Sequence, residues 1–366
     1  MNCVYLSCTG LFGDSVDDWV NIDADLLLFS FLPPLIFGEA MNLNFYHVKG
    51  AVLQAILLAG PGVLMGAALM GVITKFMLPY KWSWNLAMCF GSILSATDTV
   101  AVVSLLKQAG ASPKLTIIIV GESLLNDGTA MVLFTIFYES LNGRLYDARS
   151  VTSFFISAAL GSLLLGGAAG LIIIRWLRTA NRPLKEIDTT IQIAITFTCA
   201  YMIFFLAQYV LKISGPLAVC AAGVVLSWLA PPIILSHETM HNVWGMVEWV
   251  LNTLIFLLAG LIIGNRVINK VAAEDWFYVV LLYMILMAVR AFSIALLFPW
   301  LSTIGHKCTR NEAIFMSWGG LRGVSNFLFA LYEVCIRVPI NNDVNFTYVF
   351  LGPWHGSGSA GGAQLP

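Results

Sequence analysis

Charged side chains are scarce in this sequence. Asp, Glu, Lys and Arg together make up 11% of its 366 residues, whereas 59% of the residues are hydrophobic. The mean hydropathy is +0.84. So few polar groups cannot cover the surface of a soluble domain of this size. The scarcity of charge therefore argues against a soluble globular fold and predicts an all-α polytopic membrane protein.

Three further features are missing. The 19 basic and 20 acidic residues leave no charge excess that would indicate acidic or basic partners, and the few charges cluster in short loops and a handful of intramembrane sites. The seven cysteines show no metal-ligand spacing and no paired framework, and we expect them to be small core residues. The first residues lack the basic stretch of a signal peptide. We expect no cofactor and no nucleic-acid partner.

Long apolar segments recur along the chain, with short polar breaks between them. A membrane-spanning helix needs about 20 mostly apolar residues. On this criterion the sequence predicts ten transmembrane helices, near residues 26–43, 50–77, 85–106, 115–139, 151–177, 188–212, 215–235, 243–264, 277–300 and 311–333. Pro33, Pro34 and Pro61 lie inside the first two helices, which is tolerated where neighbouring groups satisfy the freed backbone carbonyls.

The two ends of the sequence differ from the middle. Residues 26–335 are predicted to form one transmembrane domain, because the breaks are too short to hold a soluble one. Residues 1–25 are interpreted as an N-terminal remnant and loop, and residues 336–366 as a tail of doubtful structure ending in the low-complexity run "WHGSGSAGGAQLP". We expect flanking segments to be missing. The Lys and Arg residues of the loops do not fix the orientation.

Five charged residues fall within the predicted spans: Asp98, Glu122, Asp127, Arg290 and Arg322. A charged side chain at the centre of a bilayer costs about 2.5 to 3.5 kcal/mol on insertion scales. These side chains must therefore face one another or water. A structural ion pair would explain one or two of them, but a set in which acids outnumber bases favours a functional site.

The segment "GESLLNDGTA" places polar side chains on one side of a helix. Glu122 and Asn126 are four residues apart, and so are Ser123 and Asp127, which puts each pair on one helix face. The earlier segment "SATDT" surrounds Asp98 with hydroxyl groups, which compete for backbone hydrogen bonds and favour a helix interruption.

A second interruption is predicted at "SWGGLRGVSNF", where three glycines surround Arg322. Each glycine weakens a helix by about 1 kcal/mol relative to alanine. In an inverted repeat, two such broken helices lie opposite each other at the middle of the membrane.

Several motifs, in this order, resemble the signatures of a known family: "FLPPLIFGEAMNLN", "ATDTVAVVSLL", "GESLLNDGTA", "NTLIFLLAG" and "WGGLRG". They are similar to the sodium/proton exchangers of the monovalent cation/proton antiporter-1 group, and most of all to the salt-overly-sensitive exchangers of plants and protists. The likeness extends from about residue 14 to residue 326 and fades after "WGGLRGVS".

The resemblance implies an inverted-repeat antiporter fold with two broken crossing helices. It implies a transporter, and not an enzyme, that exchanges Na⁺ for H⁺ one for one without net charge movement. It further implies a homodimer surrounded by membrane lipid, with the plasma membrane as its location.

The resemblance also assigns roles to single residues. It implies that Asp127 binds Na⁺ and H⁺ in turn, and that the neighbouring Asn126 marks the electroneutral branch of the family. Thr97 and Asp98 match the part of the unwound helix that contributes to the ion site, with Na⁺ held at Asp127 and Asp98. Ser123 matches a further ligand.

The remaining charged residues are implied to be structural. Glu122 and Arg322 match a buried ion pair, with Arg290 a second basic residue nearby. Glu39 either reaches the ion path or is a carboxylate at a helix end.

Alternatives remain open at this point. Asp98 and Asp127 could form the dyad of an intramembrane aspartyl protease, although neither is preceded by a Gly-x-Gly motif. A truncated, inactive subunit that only dimerises is a second alternative. The sequence does not separate Na⁺ from K⁺ or Li⁺ as the carried ion.

Overall fold

The structure is a computed structural model. It describes residues 24–43, 45–78, 82–97, 102–103, 105–106, 112–141, 148–180, 187–262, 273–305 and 307–320, together with the isolated positions 19, 22, 110, 143 and 264. The predicted N-terminal remnant and the predicted C-terminal tail therefore lie almost wholly outside the described residues.

Every regular element in the described part of the chain is a helix. The helices are α1 (Ala24–Met41), α2 (Phe45–Leu57), α3 (Val63–Met77), α4 (Trp84–Ser95), α5 (Pro113–Leu141), α6 (Ala148–Thr179), α7 (Ile187–Phe205), α8 (Gly215–Leu229), α9 (His237–Ile262), α10 (Ala273–Thr303) and α11 (Arg310–Trp318). A π-helical turn, Leu58–Gly62, joins α2 to α3, and a second one, Leu206–Val210, extends α7. Each of the ten predicted helices overlaps one of these segments, which confirms the all-α prediction.

Both predicted boundaries in the connection between α8 and α9 were wrong, and the last predicted helix, 311–333, ends early, at Trp318. The prediction extended α8 to residue 235, but it ends at Leu229, because Pro231 and Pro232 have no N–H to continue it. The prediction began α9 at residue 243, but it begins at His237. There the hydroxyl of Ser236 accepts a 3.3 Å hydrogen bond from the Thr239 amide, as a helix-capping residue does.

Within the described ranges, six helical segments are long and apolar enough to cross a membrane: Lys49–Met77, Lys114–Leu141, Val151–Thr179, Thr189–Val210, His237–Ile262 and Phe277–Thr303. Shorter apolar helices are Leu26–Met41, Trp84–Ser95 and Gly215–Leu229. Many large apolar side chains on these helices are exposed, among them Phe76, Leu164 and Trp249. In a bilayer such side chains face lipid.

The prolines of α1 are accommodated as expected. Pro34 has no N–H to donate to the carbonyl of Ser30, one helical turn earlier. The hydroxyl of Tyr201, on α7, donates a 2.8 Å hydrogen bond to this carbonyl instead. A neighbouring helix thus satisfies the backbone group that the proline frees.

The buried side chains form two main clusters, one on each side of α5. The first joins α1, α6, α7, α8 and α9 around residues such as Phe37, Phe204 and Trp244. The second joins α2, the helical residues near 102–106, α10 and α11 around residues such as Leu106, Leu301 and Met316. Helix α5 contributes Leu124 to the first cluster and Ile119 to the second, so it is the shared element between two bundles.

Candidate functional site

The site begins where α4 stops. Its last helical residue is Ser95, and Ala96 has an extended backbone with φ −66° and ψ 143°. The chain is helical again at 102–103 and 105–106. The predicted interruption at "SATDT" is therefore present in the part of this segment that the structure describes. The break leaves backbone carbonyls without an intrahelical partner.

Thr97, at this break, is bound by two polar side chains of α5. The hydroxyl of Ser123 donates a 3.0 Å hydrogen bond to the backbone carbonyl of Thr97. The side-chain amide of Asn126 donates a 2.9 Å hydrogen bond to the Thr97 hydroxyl. All three residues are buried. The structure thus brings together three residues that the sequence analysis singled out.

Asp127 lies beside this group. It follows Ser123 by one helical turn on α5, and its side chain is buried. The side-chain carbonyl oxygen of Asn126 is also buried and has no hydrogen-bond partner among the described residues. Carboxylate, hydroxyl, amide and backbone carbonyl oxygens therefore occur within a short stretch of two helices.

Helix α8 covers the neighbouring face of α5. A Cβ atom placed on Gly128 would lie 2.9 Å from Cβ of Leu217, so only glycine allows this approach. The buried Cys220 thiol lies within electrostatic range of the carboxylates of both Glu39 and Asp127. Glu39 on α1 and Asp127 on α5 are therefore both near the part of α8 that carries Cys220.

Glu122 is paired with Arg290 of α10. Arg290 Nη1 donates to Glu122 Oε1 at 2.9 Å, and Nη2 donates to Oε2 at 3.3 Å. Such a two-point contact between guanidinium and carboxylate is both strong and geometrically specific. The sequence analysis named Arg322 as the first partner of Glu122 and Arg290 as a basic residue nearby. The structure gives Arg290 this position, and Arg322 lies outside the described residues.

Arg290 also holds the end of α11. Its Nε donates a 3.0 Å hydrogen bond to the carbonyl of Met316, in the last turn before α11 ends at Trp318. A cation at a helix C-terminus is favoured by the helix dipole and by the unpaired carbonyls there. A Cβ atom at Gly320 would collide with the side chain of Arg290. Glycine at position 320 therefore leaves the space that the side chain of Arg290 occupies.

Not every predicted site residue is placed. Asp98 and Arg322 lie outside the described residues, as does the chain beyond Gly320, where the second interruption was predicted to continue. No group of three or more His, Cys, Asp and Glu side chains forms a metal site within the described ranges. The sequence analysis placed Arg290 near Glu122 but did not predict their direct two-point contact, because 168 positions separate the two residues in the chain.

The fold and the site together define an all-helical, polytopic membrane protein with a polar site at a helix break. Comparison with known proteins agrees. The family model described as "Sodium/hydrogen exchanger, transmembrane" matches residues 4–347. The chain therefore belongs to the sodium/hydrogen exchanger family.

Two plant proteins are among its relatives. Sodium/hydrogen exchanger 8 of Arabidopsis thaliana is 34% identical over 328 residues, which cover 88% of this chain and 43% of that protein. Sodium/hydrogen exchanger 7 of the same plant is 37% identical over 320 residues, which cover 86% of this chain and 28% of that protein. The chain thus spans less than half the length of these two relatives.

A solved structure shares the fold. The sodium proton antiporter MjNhaP1 from Methanocaldococcus jannaschii superimposes with a TM-score of 0.65 at 18% identity, covering 87% of this chain and 76% of that one. This likeness confirms the expected antiporter-type architecture.

Proposed function

We propose that this protein is a secondary active antiporter that exchanges Na⁺ for H⁺ across a membrane. The observation that carries the proposal is the group formed by Thr97, Ser123, Asn126 and Asp127 at the break of α4. Na⁺ prefers oxygen ligands, and this group offers only oxygen atoms from hydroxyl, carbonyl, amide and carboxylate groups. Family membership supports the same activity.

Asp127 is the proposed carrier residue. A buried carboxylate in an apolar surrounding is stable only when a proton or a cation neutralises it. If either ion must be bound before the protein changes conformation, the two ions are exchanged and neither leaks. Asp98, also assigned to the ion site by the resemblance, is proposed as a second ligand, and Glu39 is proposed to lie along the path to Asp127.

Asn126 supports a one-for-one stoichiometry. An amide cannot carry a proton at accessible pH, so Asp127 is the only titratable group of the pair. One Na⁺ then replaces one H⁺ on one carboxylate, and no net charge crosses the membrane. The amide also fixes Thr97 through its hydrogen bond, which holds the break of α4 against α5.

Competition between the two ions is the direct test of the proposal. The longest form of the protein that the transcript encodes is reconstituted in proteoliposomes, and Na⁺-driven proton flux is measured at several pH values. If both ions bind Asp127, the apparent KM for Na⁺ rises as the pH falls, while the maximal rate at saturating Na⁺ stays the same. A KM that is independent of pH contradicts a shared site, and the absence of any Na⁺-driven flux contradicts the activity. Parallel runs with K⁺ and Li⁺ identify the carried ion.

Assembly and location are separate proposals. We propose a homodimer in the plasma membrane, on the strength of the resemblance to the salt-overly-sensitive exchangers. Light scattering of the purified protein, corrected for bound detergent, distinguishes a dimer from a monomer. Microscopy of a fluorescent fusion distinguishes the plasma membrane from internal membranes.

A further inference from the structure

A small cavity lies beside the ion pair. It opens between the π-helical turn with α3 on one side and α10 on the other, and its volume is about 40 Å³. Its walls are mostly apolar, with Leu58, Val63, Met70 and Leu297 among them. Glu122 and Arg290 also line it. The cavity therefore combines apolar walls with a buried pair of charges.

A buried hydroxyl faces this cavity. Ser293, one turn after Arg290 on α10, lines the cavity and is 6% exposed. Its Oγ has no hydrogen-bond partner among the described residues. Several other helical serines donate to a carbonyl three or four residues earlier, as Ser162 does to Ala158 and Ser140 does to Ile136. Leaving a buried hydroxyl without a hydrogen bond is unfavourable, so Ser293 requires a partner inside the cavity.

The cavity offers the volume and the partners that water needs. A water molecule requires about 10 to 15 Å³ of cavity volume and two to four polar partners. The carboxylate of Glu122 has lone pairs beyond those that Arg290 uses. Three of the five N–H donors of Arg290 bond to Glu122 and Met316, which leaves two donors available to water. Ser95, at the end of α4, also lines the cavity; its hydroxyl donates to the Ser92 carbonyl and can still accept a hydrogen bond.

The backbone keeps this space open. The π-helical turn Leu58–Gly62 surrounds Pro61, and Gly62 lines the cavity opposite α10. A Cβ atom at Gly62 would lie 3.4 Å from Cδ1 of Leu297 and would narrow the gap between the two helices. Single π-helical turns inside α-helices occur often at functional sites.

We propose that this cavity holds ordered water that links the Ser293 hydroxyl to the Glu122–Arg290 pair, which makes Ser293 a positioning residue for that pair. The water completes the hydrogen bonding of Ser293 and keeps Arg290 directed at both Glu122 and the carbonyl of Met316. This inference concerns hydration only and does not depend on which ions the protein carries.

Hydroxyl-radical footprinting of the purified, intact protein tests the proposal. X-rays produce radicals from water, and water bound inside a protein oxidises the side chains that it touches. Met70 lines the cavity and is 1% exposed, whereas Met240 is 2% exposed and packs in the apolar cluster around Trp244. Their sulfur atoms are equally reactive and both give methionine sulfoxide. We expect Met70 to be oxidised several-fold faster than Met240, and equal rates overturn the proposal.

A pair of variants isolates the hydroxyl. Ser293→Thr keeps it, and Ser293→Val has nearly the same shape as the threonine variant without it. We expect fast oxidation of Met70 in Ser293→Thr and a several-fold slower rate, close to that of Met240, in Ser293→Val. Equal Met70 rates in these two variants overturn the role of Ser293. Ser162→Ala is the matched control, since it removes a buried hydroxyl distant from the cavity, and it should leave the Met70 rate unchanged.

Discussion

The side-chain amide of Asn126 donates a 2.9 Å hydrogen bond to the hydroxyl of Thr97, and this bond joins the helix that carries Asp127 to the break of α4. Together with the bond from Ser123 to the Thr97 carbonyl, it fixes both the side chain and the backbone of Thr97. A broken helix is tolerated in a membrane only where its freed polar groups are satisfied. The same contacts therefore stabilise the break and assemble the proposed ion site.

Removing the Thr97 hydroxyl should weaken the site. In Thr97→Val the buried amide of Asn126 loses its acceptor, which costs about 1 to 3 kcal/mol. We also expect the apparent KM for Na⁺ in proteoliposomes to rise several-fold, because the break of α4 is then no longer held against α5. Thr97→Ser keeps the hydroxyl and should stay close to the parent. Equal KM values for the valine and serine variants would show that the bond does not matter for binding.

Changing Asn126 should change the response to voltage. Each net charge that crosses the membrane contributes about 2.3 kcal/mol per 100 mV to the energetics of transport. The parent, if it exchanges one Na⁺ for one H⁺, should transport at a rate that an imposed potential does not alter. Any flux that survives in Asn126→Asp should depend on the potential, because a second carboxylate is then present. Flux in the parent that depends on voltage would contradict the one-for-one stoichiometry and leave the site assignment intact.

Breaking the buried ion pair should destabilise the protein. Removing one partner leaves the other charge buried and unpaired, which typically costs about 3 to 5 kcal/mol. Glu122→Gln and Arg290→Met should therefore lower the melting temperature and the folded yield in detergent. The melting temperature of the double variant should fall by less than the sum of the two single decreases, because neither charge is then left unpaired.

Glu238 provides a matched control for the ion pair. This carboxylate is exposed in the first turn of α9, where its contribution through the helix dipole is at most about 1 kcal/mol. Glu238→Gln should leave the melting temperature nearly unchanged. Single variants of Glu122 and Arg290 that are as stable as Glu238→Gln would show that their pairing contributes nothing.

A larger residue at position 128 should disturb the contact between α5 and α8. The Cβ atom of Gly128→Ala would lie 2.9 Å from Cβ of Leu217 on α8. Overpacking of this kind costs about 1 to 3 kcal/mol. We expect a lower melting temperature, partly restored by adding Leu217→Ala.

Gly167 is the control for this change. It lies within α6, and a Cβ atom there would meet nothing within 4 Å. Gly167→Ala should be neutral or stabilising by up to about 1 kcal/mol, because alanine favours the helix. If Gly128→Ala changes the melting temperature no more than Gly167→Ala does, α5 and α8 are not in close contact at Gly128 in the folded protein.

Local patterns in the sequence predicted a large part of this structure. Apolar segment length predicted ten helices, and the four-residue spacing of Ser123 and Asp127 predicted one polar face of α5. The hydroxyl cluster around Asp98 predicted the break after Ser95. Each of these features depends on residues that are near one another in the chain, where helix geometry fixes which side chains share a face.

Contacts between distant segments could not be predicted in the same way. Glu122 needs a buried cation as its partner, and the later spans contain two arginines. The sequence does not show which of the two lies closer to Glu122 in the fold. The pairing with Arg290 follows from how α10 packs against α11, α3 and the π-helical turn, which brings its arginine within reach of Glu122. Ser293 had no signal at all, since a single serine in an apolar helix usually bonds to its own backbone.

The central claim is that Na⁺ and H⁺ compete for the Asp127 carboxylate, and flux through Asp127→Asn tests it most directly. The measurement is Na⁺-driven proton flux in proteoliposomes containing the longest encoded form of the protein, with the melting temperature confirming that the variant is folded. An amide cannot release a proton at any accessible pH, so exchange should be abolished and not merely slowed. Robust Na⁺-driven proton flux in folded Asp127→Asn would contradict the account.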